Sequence, residues 1–206
     1  MKSKVAYHMD LANTLPVGKL DLNRGSCTLN PTINQYIMRE YPDGISRMGE
    51  IYLSYTMEDD APKIISNAKE YIFESVRRLY FPTLPSRMQS LCVVDQPKDL
   101  EIWFSQLVPH TQLDVEEAID RATVKTVCYD EDKSFVGDAM WRDYLVALND
   151  GKKGYSSTFA CEMAHYYWRG VQTDTPRPER LIQLPVNVVD STPLREFACI
   201  HGLYLK

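Results

Sequence analysis

The sequence predicts an α+β fold. Strand-like runs rich in β-branched residues are scattered along it, and amphipathic helices of unequal length stand between them. The two kinds do not follow the regular βαβ alternation of a parallel sheet. No internal repeat, low-complexity tract or linker divides the 206 residues, so residues 1–206 are expected to form one domain around one hydrophobic core.

The first strand candidate covers residues 4–11 and ends at the turn signal Ala12-Asn13-Thr14. After Gly18, a short alternating stretch covers 19–22. Asn30-Pro31-Thr32 caps a helix over 33–41, which Pro42-Asp43-Gly44 stops. Residues 44–60, with their glycines and the acidic Met57-Glu58-Asp59-Asp60, read as a surface connection. Asp60-Ala61-Pro62 opens the clearest helix, over 62–79. Ile64, Ile65, Ala68, Ile72, Val76 and Leu79 recur at helical spacing, while Lys63, Asn67, Glu70, Glu74 and Arg78 fall largely elsewhere. This helix is expected to pack its Ile65, Ile72, Val76 and Leu79 face on a sheet and to supply no catalytic group.

The prolines of Tyr80-Phe81-Pro82-Thr83-Leu84-Pro85 end that helix. Ser90-Leu91-Cys92-Val93-Val94 reads as a buried strand. A short helix runs from Pro97 and Asp99 to Leu107, and residues 114–118 form an acidic helical turn. Residues 124–129 read as a strand. Two helices follow, over 136–148 with Asn149-Asp150-Gly151 as its stop, and over 158–168 with Ser156 and Ser157 as caps and Gly170 as its end. The loop Thr175-Pro176-Arg177-Pro178 leads into a last apolar run, 179–189, expected to be a buried strand with Glu179 at its margin. A carboxylate there stays solvated in a cleft while the strand fixes its direction.

Apolar residues make up 44% of the chain and charged ones 25%, ordinary values for a globular protein. The net charge of -5 and isoelectric point near 5.4 argue against a broad electrostatic grip on nucleic acid. Cys27, Cys92, Cys128, Cys161 and Cys199 form no C-x-x-C pair, which predicts reduced thiols and a cytoplasmic setting. No signal-peptide core and no membrane-length apolar run stands out.

No metal signature is present. Glu162-x-x-His165 lacks the second pair and the further glutamates of a carboxylate-bridged site, so both are expected on the helix surface. There is no P-loop, no G-x-G-x-x-G and no G-x-S-x-G, and Cys92 inside a strand reads as an inert core thiol. Three groups remain: His8 near the end of the first strand, Ser86-Arg87-Met88-Gln89-Ser90 before a central strand, and Glu179. Singly, His8 suits a structural histidine and Pro85-Ser86-Arg87 a capped turn.

Their order along the chain resembles the ADP-ribosyltransferase superfamily, and within it a bacterial and phage family of uncharacterised ADP-ribosyltransferase-like domains. The likeness rests on Tyr7-His8 with Leu15-Pro16-Val17-Gly18-Lys19-Leu20, on Phe73-Glu74-Ser75-Val76-Arg77 and Tyr80 to Arg87, and on Tyr166-Tyr167-Trp168-Arg169-Gly170. Glu179-Arg180-Leu181-Ile182 and Pro185-Val186-Asn187-Val188 complete it, so that it spans about residues 5–190. The resemblance implies a split β-sheet core with inserted helices and NAD, as substrate, between two sheets. His8 would bind the ribose and the phosphoribosyl portion. Ser86 to Ser90 would flank the nicotinamide, with Ser86, Ser90 or Leu91 at the middle motif position. Glu179 would be catalytic, and Arg87 could neutralise the pyrophosphate. Arg177 stands two residues before Glu179, where arginine-modifying members carry Glu or Gln.

These readings imply transfer of ADP-ribose to a macromolecular acceptor by a toxin, effector or phage-conflict protein, with protein favoured over nucleic acid as acceptor and an inhibitory protein as a possible partner. The rival readings are a catalytically degenerate domain that binds a partner, and a transferase acting on nucleic acid.

Overall fold

The computed structural model describes residues 3–24, 31–54, 61–147 and 157–206. Within them, seven strands form two antiparallel sheets. The first orders β1 (Ser3–Asp10), β4 (Thr123–Asp130), β7 (Val186–Pro193) and β2 (Gly18–Leu20); the second orders β3 (Ser90–Val93), β6 (Pro178–Gln183) and β5 (Ser134–Asp138). Tyr7 of β1 and Val94, just past β3, exchange both backbone hydrogen bonds at 2.8 Å and so tie the sheets together. The chain crosses between them again at Leu184 and the cis-linked Pro185, which join β6 to β7.

Strand alternation gives each sheet an apolar face for the other. Ala6, Val127, Tyr129, Val186 and Val188 of the first meet Leu91, Val93, Ile182 and Leu184 from the second. On the first sheet's other face, α4 (Asp99–Leu107), α5 (Val115–Arg121) and α8 (Leu194–His201) bring Leu100, Phe104, Ala118, Ile119, Leu194 and Phe197 against Met9 and Val124. The second sheet's other face takes α3 (Ala61–Tyr80), α6 (Met140–Ala147) and α7 (Ser157–Trp168), with Phe73, Val76, Ala160, Ala164 and Tyr167 packed around Leu181. Ile37 of α1 (Pro31–Glu40) and Leu53 of α2 (Arg47–Ser54) close over Met88. The fold is α+β, as its sequence predicts.

Several elements differ from expectation. The run 179–189 is not one strand but two, β6 and β7, and they lie in different sheets. The helix expected from 136 begins at Met140, because Ser134–Asp138 pairs with β6. The connection expected over 44–60 contains α2, whose Ser46 hydroxyl accepts the Gly49 amide at 3.1 Å and caps the first turn. The last helix, α8, was not foreseen. Leu79 is 74% exposed rather than packed, while Val76 is buried and Ile72 lies against the core. The side chains of Ile64, Ile65 and Ala68 lie outside the described ones. So do the caps expected at Asn30, Asp60 and Ser156, the stop at 149–151, the acidic run 57–60, and Cys27. Among the described residues no helix is long and apolar enough to cross a membrane.

Candidate functional site

Glu179 is the second residue of β6 and stands opposite Gly137 of β5. A Cβ at Gly137 would lie 2.5 Å from Cε2 of Tyr167, so only glycine lets that α7 ring cross the ladder here. The Tyr167 hydroxyl reaches Glu179 and donates to its Oε1 at 2.8 Å. Arg87 enters from the turn of 3₁₀ helix that precedes β3. Its Nη1 donates to Glu179 Oε1 at 2.5 Å and to the Tyr167 oxygen at 2.8 Å, its Nε to Glu70 Oε2 at 2.8 Å, and its Nη2 to the Tyr52 oxygen at 3.2 Å. Tyr52 comes this close because α2 rests on the Met88 backbone; a Cβ at Gly49 would stand 2.3 Å from the Met88 carbonyl oxygen.

Arg142 of α6 completes the set. Its Nη2 donates to Glu70 Oε1 at 2.5 Å, while its Nη1 stays 3.8 Å from Glu179 Oε1. Arg87, Glu70 and Glu179 are 1%, 1% and 2% exposed, so these charges sit in a low-dielectric layer between the second sheet and its helices. The contacts of Glu179 with described residues all fall on Oε1, and Oε2 takes part in none of them.

The electrostatics follow from this packing. Burial alone would raise the Glu70 carboxyl, but Arg142, Arg87 and Lys69 more than reverse it and hold it at about 2. Burial pushes the Tyr52 and Tyr167 phenols well up, so both are neutral donors. Lys69, also buried, falls to about 8, through burial first and the neighbouring Arg142 next. An unfolded lysine keeps its proton to about 10.5, so between pH 8 and 10.5 the unfolded chain binds more protons and this residue's contribution to stability rises with pH. Lys69→Met is therefore expected to stabilise the fold at pH 7 by on the order of 2 kcal/mol and to flatten that rise. Urea unfolding at neutral and alkaline pH measures both, and an unchanged midpoint and slope would mean that Glu70 and Asp143 already compensate the ammonium.

Of the residues expected at a site, the structure brings Arg87 and Glu179 into direct contact across 92 positions of sequence. Glu179 is not solvated, as its place at a strand margin suggested, because α7 and the turn at Arg87 cover it. Arg87 has its donors engaged by protein groups, which leaves it poorly placed to grip a pyrophosphate. Ser86 and Ser90 are buried and serve the backbone: Ser86 Oγ accepts the Met88 amide at 3.1 Å, and Ser90 Oγ donates to the Ser86 carbonyl at 2.7 Å. Leu91 faces the seam between the sheets.

His8 makes no contact with this cluster; it stands against the Cys92 carbonyl, to which Nδ1 donates at 2.7 Å. A carbonyl can only accept, so Nδ1 carries the proton and Nε2 is left as an acceptor. Burial pulls the His8 imidazole below its ordinary value, against the Cys92 hydrogen bond and Asp10, and with help from Lys125 and Arg47. The Cys92 thiol faces the cluster instead and is pushed up to about 12 by burial and by Glu179, as befits an inert core thiol. Glu162 is exposed, and His165 packs against the rings of Tyr80 and Phe81.

Sequence reasoning missed Glu70, Tyr52, Lys69 and Arg142, and it counted Tyr167 only as part of a motif. Glu70 carried one signal: it is in helical phase with Phe73 and Glu74, both buried, and with Arg77, which pairs with Glu74. Arg177, two residues before Glu179, is held by Asp143 and the Met140 sulfur, and its guanidinium faces the Trp103 ring at 5.5 Å.

No curated protein matches the chain. The family described as Protein of unknown function (DUF2441) matches residues 57–193, a span that takes in Glu70, Arg87, Arg142, Tyr167 and Glu179 but not His8 or Tyr52. That span is more than half of the chain, and the chain belongs to this DUF2441 family.

Proposed function

We propose that the chain is an NAD-dependent ADP-ribosyltransferase in which Glu179 is the catalytic carboxylate. The observation that carries the reading is the asymmetry of that carboxylate. Arg87 and Tyr167 fix Oε1, and Oε2 is free of both. A carboxylate anchored by one oxygen is aimed by the other, which suits a bond to the ribose 2′-hydroxyl. Cleavage of the nicotinamide–ribose bond develops positive charge at the anomeric carbon; nicotinamide leaves with the bonding pair, and the acceptor forms the new bond and loses a proton. Negative charge held beside the ribose stabilises that state more than it stabilises bound NAD.

His8, neutral with Nε2 as acceptor, suits orientation of a ribose hydroxyl from the neighbouring sheet. The acceptor is macromolecular, and the net charge of -5 favours a protein over a nucleic acid. Position 177, two residues before Glu179, is an arginine paired with Asp143, and a guanidinium there in place of Glu or Gln disfavours arginine as the modified side chain. A toxin, effector or phage-conflict protein working in the cytoplasm, and held in check by an inhibitory partner, fits this chemistry.

The test is incubation of the purified protein with NAD, reading nicotinamide release, followed by labelled NAD with a cell lysate and nuclease or protease treatment of the product. His8→Ala is expected to weaken NAD binding by about tenfold while changing the bound-state rate much less; equal binding by this variant would remove His8 from the site. A second reading, a partner-binding domain without chemistry, is favoured by the 2% exposure of Glu179. Absence of NAD binding and of nicotinamide release would select it.

A further inference from the structure

Two guanidiniums stand beside Glu179, and they differ in how far protein groups satisfy them. Arg87 donates to Glu70, Glu179, Tyr167 and Tyr52. Arg142 donates from Nη2 to Glu70; its Nη1 is beyond hydrogen-bond distance of Glu179, and its Nε is buried without an acceptor among the described residues. A buried donor left unmade costs about 1–3 kcal/mol, more on a charged group, and native folds rarely keep one without a use. The Arg177 Nε is also without an acceptor, but that guanidinium is covered by Trp103 and matched by Asp143.

Charge points the same way. Among the described residues, Lys69, Arg87 and Arg142 converge on two carboxylates, Glu70 and Glu179, while Asp143 beside Lys69 is already paired with Arg177, so the cations here outnumber the anions by one. Arg142 is 12% exposed at its side chain, against 1% for Arg87, so it is the cation of the pair nearer to solvent.

We propose that Arg142 receives an anionic phosphate oxygen of the substrate through Nε and Nη1, and that this oxygen belongs to the diphosphate of NAD. The identity of the ligand rests on the transferase reading above; the phosphate-binding role rests on Arg142 alone. The guanidinium supplies planar, charge-assisted donors, and a phosphate oxygen supplies both the missing acceptor and the missing negative charge.

Titration calorimetry with inorganic pyrophosphate, NAD and nicotinamide riboside, which carries no phosphate, tests this on the wild-type chain, Arg142→Gln and Arg142→Lys. The wild type is expected to bind pyrophosphate and NAD. Arg142→Gln should weaken both by about tenfold or more while leaving the riboside within about twofold, and Arg142→Lys should recover part of the pyrophosphate affinity. Circular dichroism and melting establish that each variant is folded. If Arg142→Gln does not fold, the decision passes to Arg142→Lys and to the rise in wild-type melting temperature that millimolar pyrophosphate should produce. A wild type with neither heat nor melting shift, or a folded Arg142 variant that binds pyrophosphate as the wild type does, overturns the proposal. Pyrophosphate binding that depends on Arg142 without any NAD binding would keep the phosphate role and sink the transferase reading. Undiminished NAD binding and turnover in Arg142→Gln would do the opposite.

Discussion

Glu179→Gln is expected to slow nicotinamide release by about two orders of magnitude or more, about 3 kcal/mol of transition-state stabilisation, with a much smaller change in NAD affinity. Glutamine keeps the size of the side chain, and its amide oxygen can still accept from Tyr167 and Arg87 at the Oε1 position. What it removes is the negative charge, which matters little to a neutral ground-state ribose and a great deal to a developing oxocarbenium. The structure adds a control. Without that charge, Arg87 keeps only Glu70 as a charged partner, so the variant should also melt earlier and must be assayed well below its transition. Single-turnover nicotinamide release and a separate NAD titration distinguish the outcomes. Intact turnover with collapsed binding would make Glu179 a ground-state ligand, and the mechanism would be wrong.

The chain order of Arg87 and Glu179 was legible in the sequence; their contact was not. Helical periodicity located α3 well, yet it assigned the wrong environment to part of it. The rule that carboxylates on an amphipathic helix face water places Glu70 and Glu74 outside. Both are buried, at 1% and 4% exposure, because cations reach them: Arg87 and Arg142 for Glu70, Arg77 and Arg78 for Glu74. Two of those cations come from other elements, and nothing local to α3 announces them. The helix was expected to supply no catalytic group; what it does supply is Glu70, the carboxylate that holds Arg87 and Arg142 beside Glu179. The late apolar run misled in another way. Residues 179–189 read as continuous apolar strand, but sheet membership is decided by partners: β6 pairs with β3 and β5, and β7 with β4 and β2. Gly137 hid β5 by looking like a poor strand residue, when its missing side chain is what admits Tyr167 to Glu179.

Arg87→Met is expected to destabilise the fold by about 3–5 kcal/mol, the usual consequence of deleting one partner of a buried ion pair. Methionine fills much of the volume, so the loss is electrostatic more than a cavity effect. Glu179 would keep the Tyr167 hydroxyl and a distant Arg142, and Glu70 would keep Arg142 and the neighbouring Lys69. Two consequences separate this account from simple loss of packing. First, Arg87→Met with Glu179→Gln should be more stable than Arg87→Met alone, because the second change neutralises the carboxylate that the first leaves stranded; the coupling should amount to about 1–3 kcal/mol. Second, the acid limb should change. In the wild type the Glu70 carboxyl sits at about 2 against an ordinary 4.5, so its contribution to stability is present above pH 4.5 and is lost as pH falls towards 2. Without Arg87 that carboxyl moves back up, the window narrows, and the variant's stability should fall less steeply with acid than the wild type's. Urea midpoints at pH 7 and in the acid window, with m-values compared, measure all of this. A double variant no more stable than Arg87→Met, together with an unchanged acid slope, would mean that the stranded carboxylates reach water, and that Arg87 serves packing rather than holding Glu179 in place.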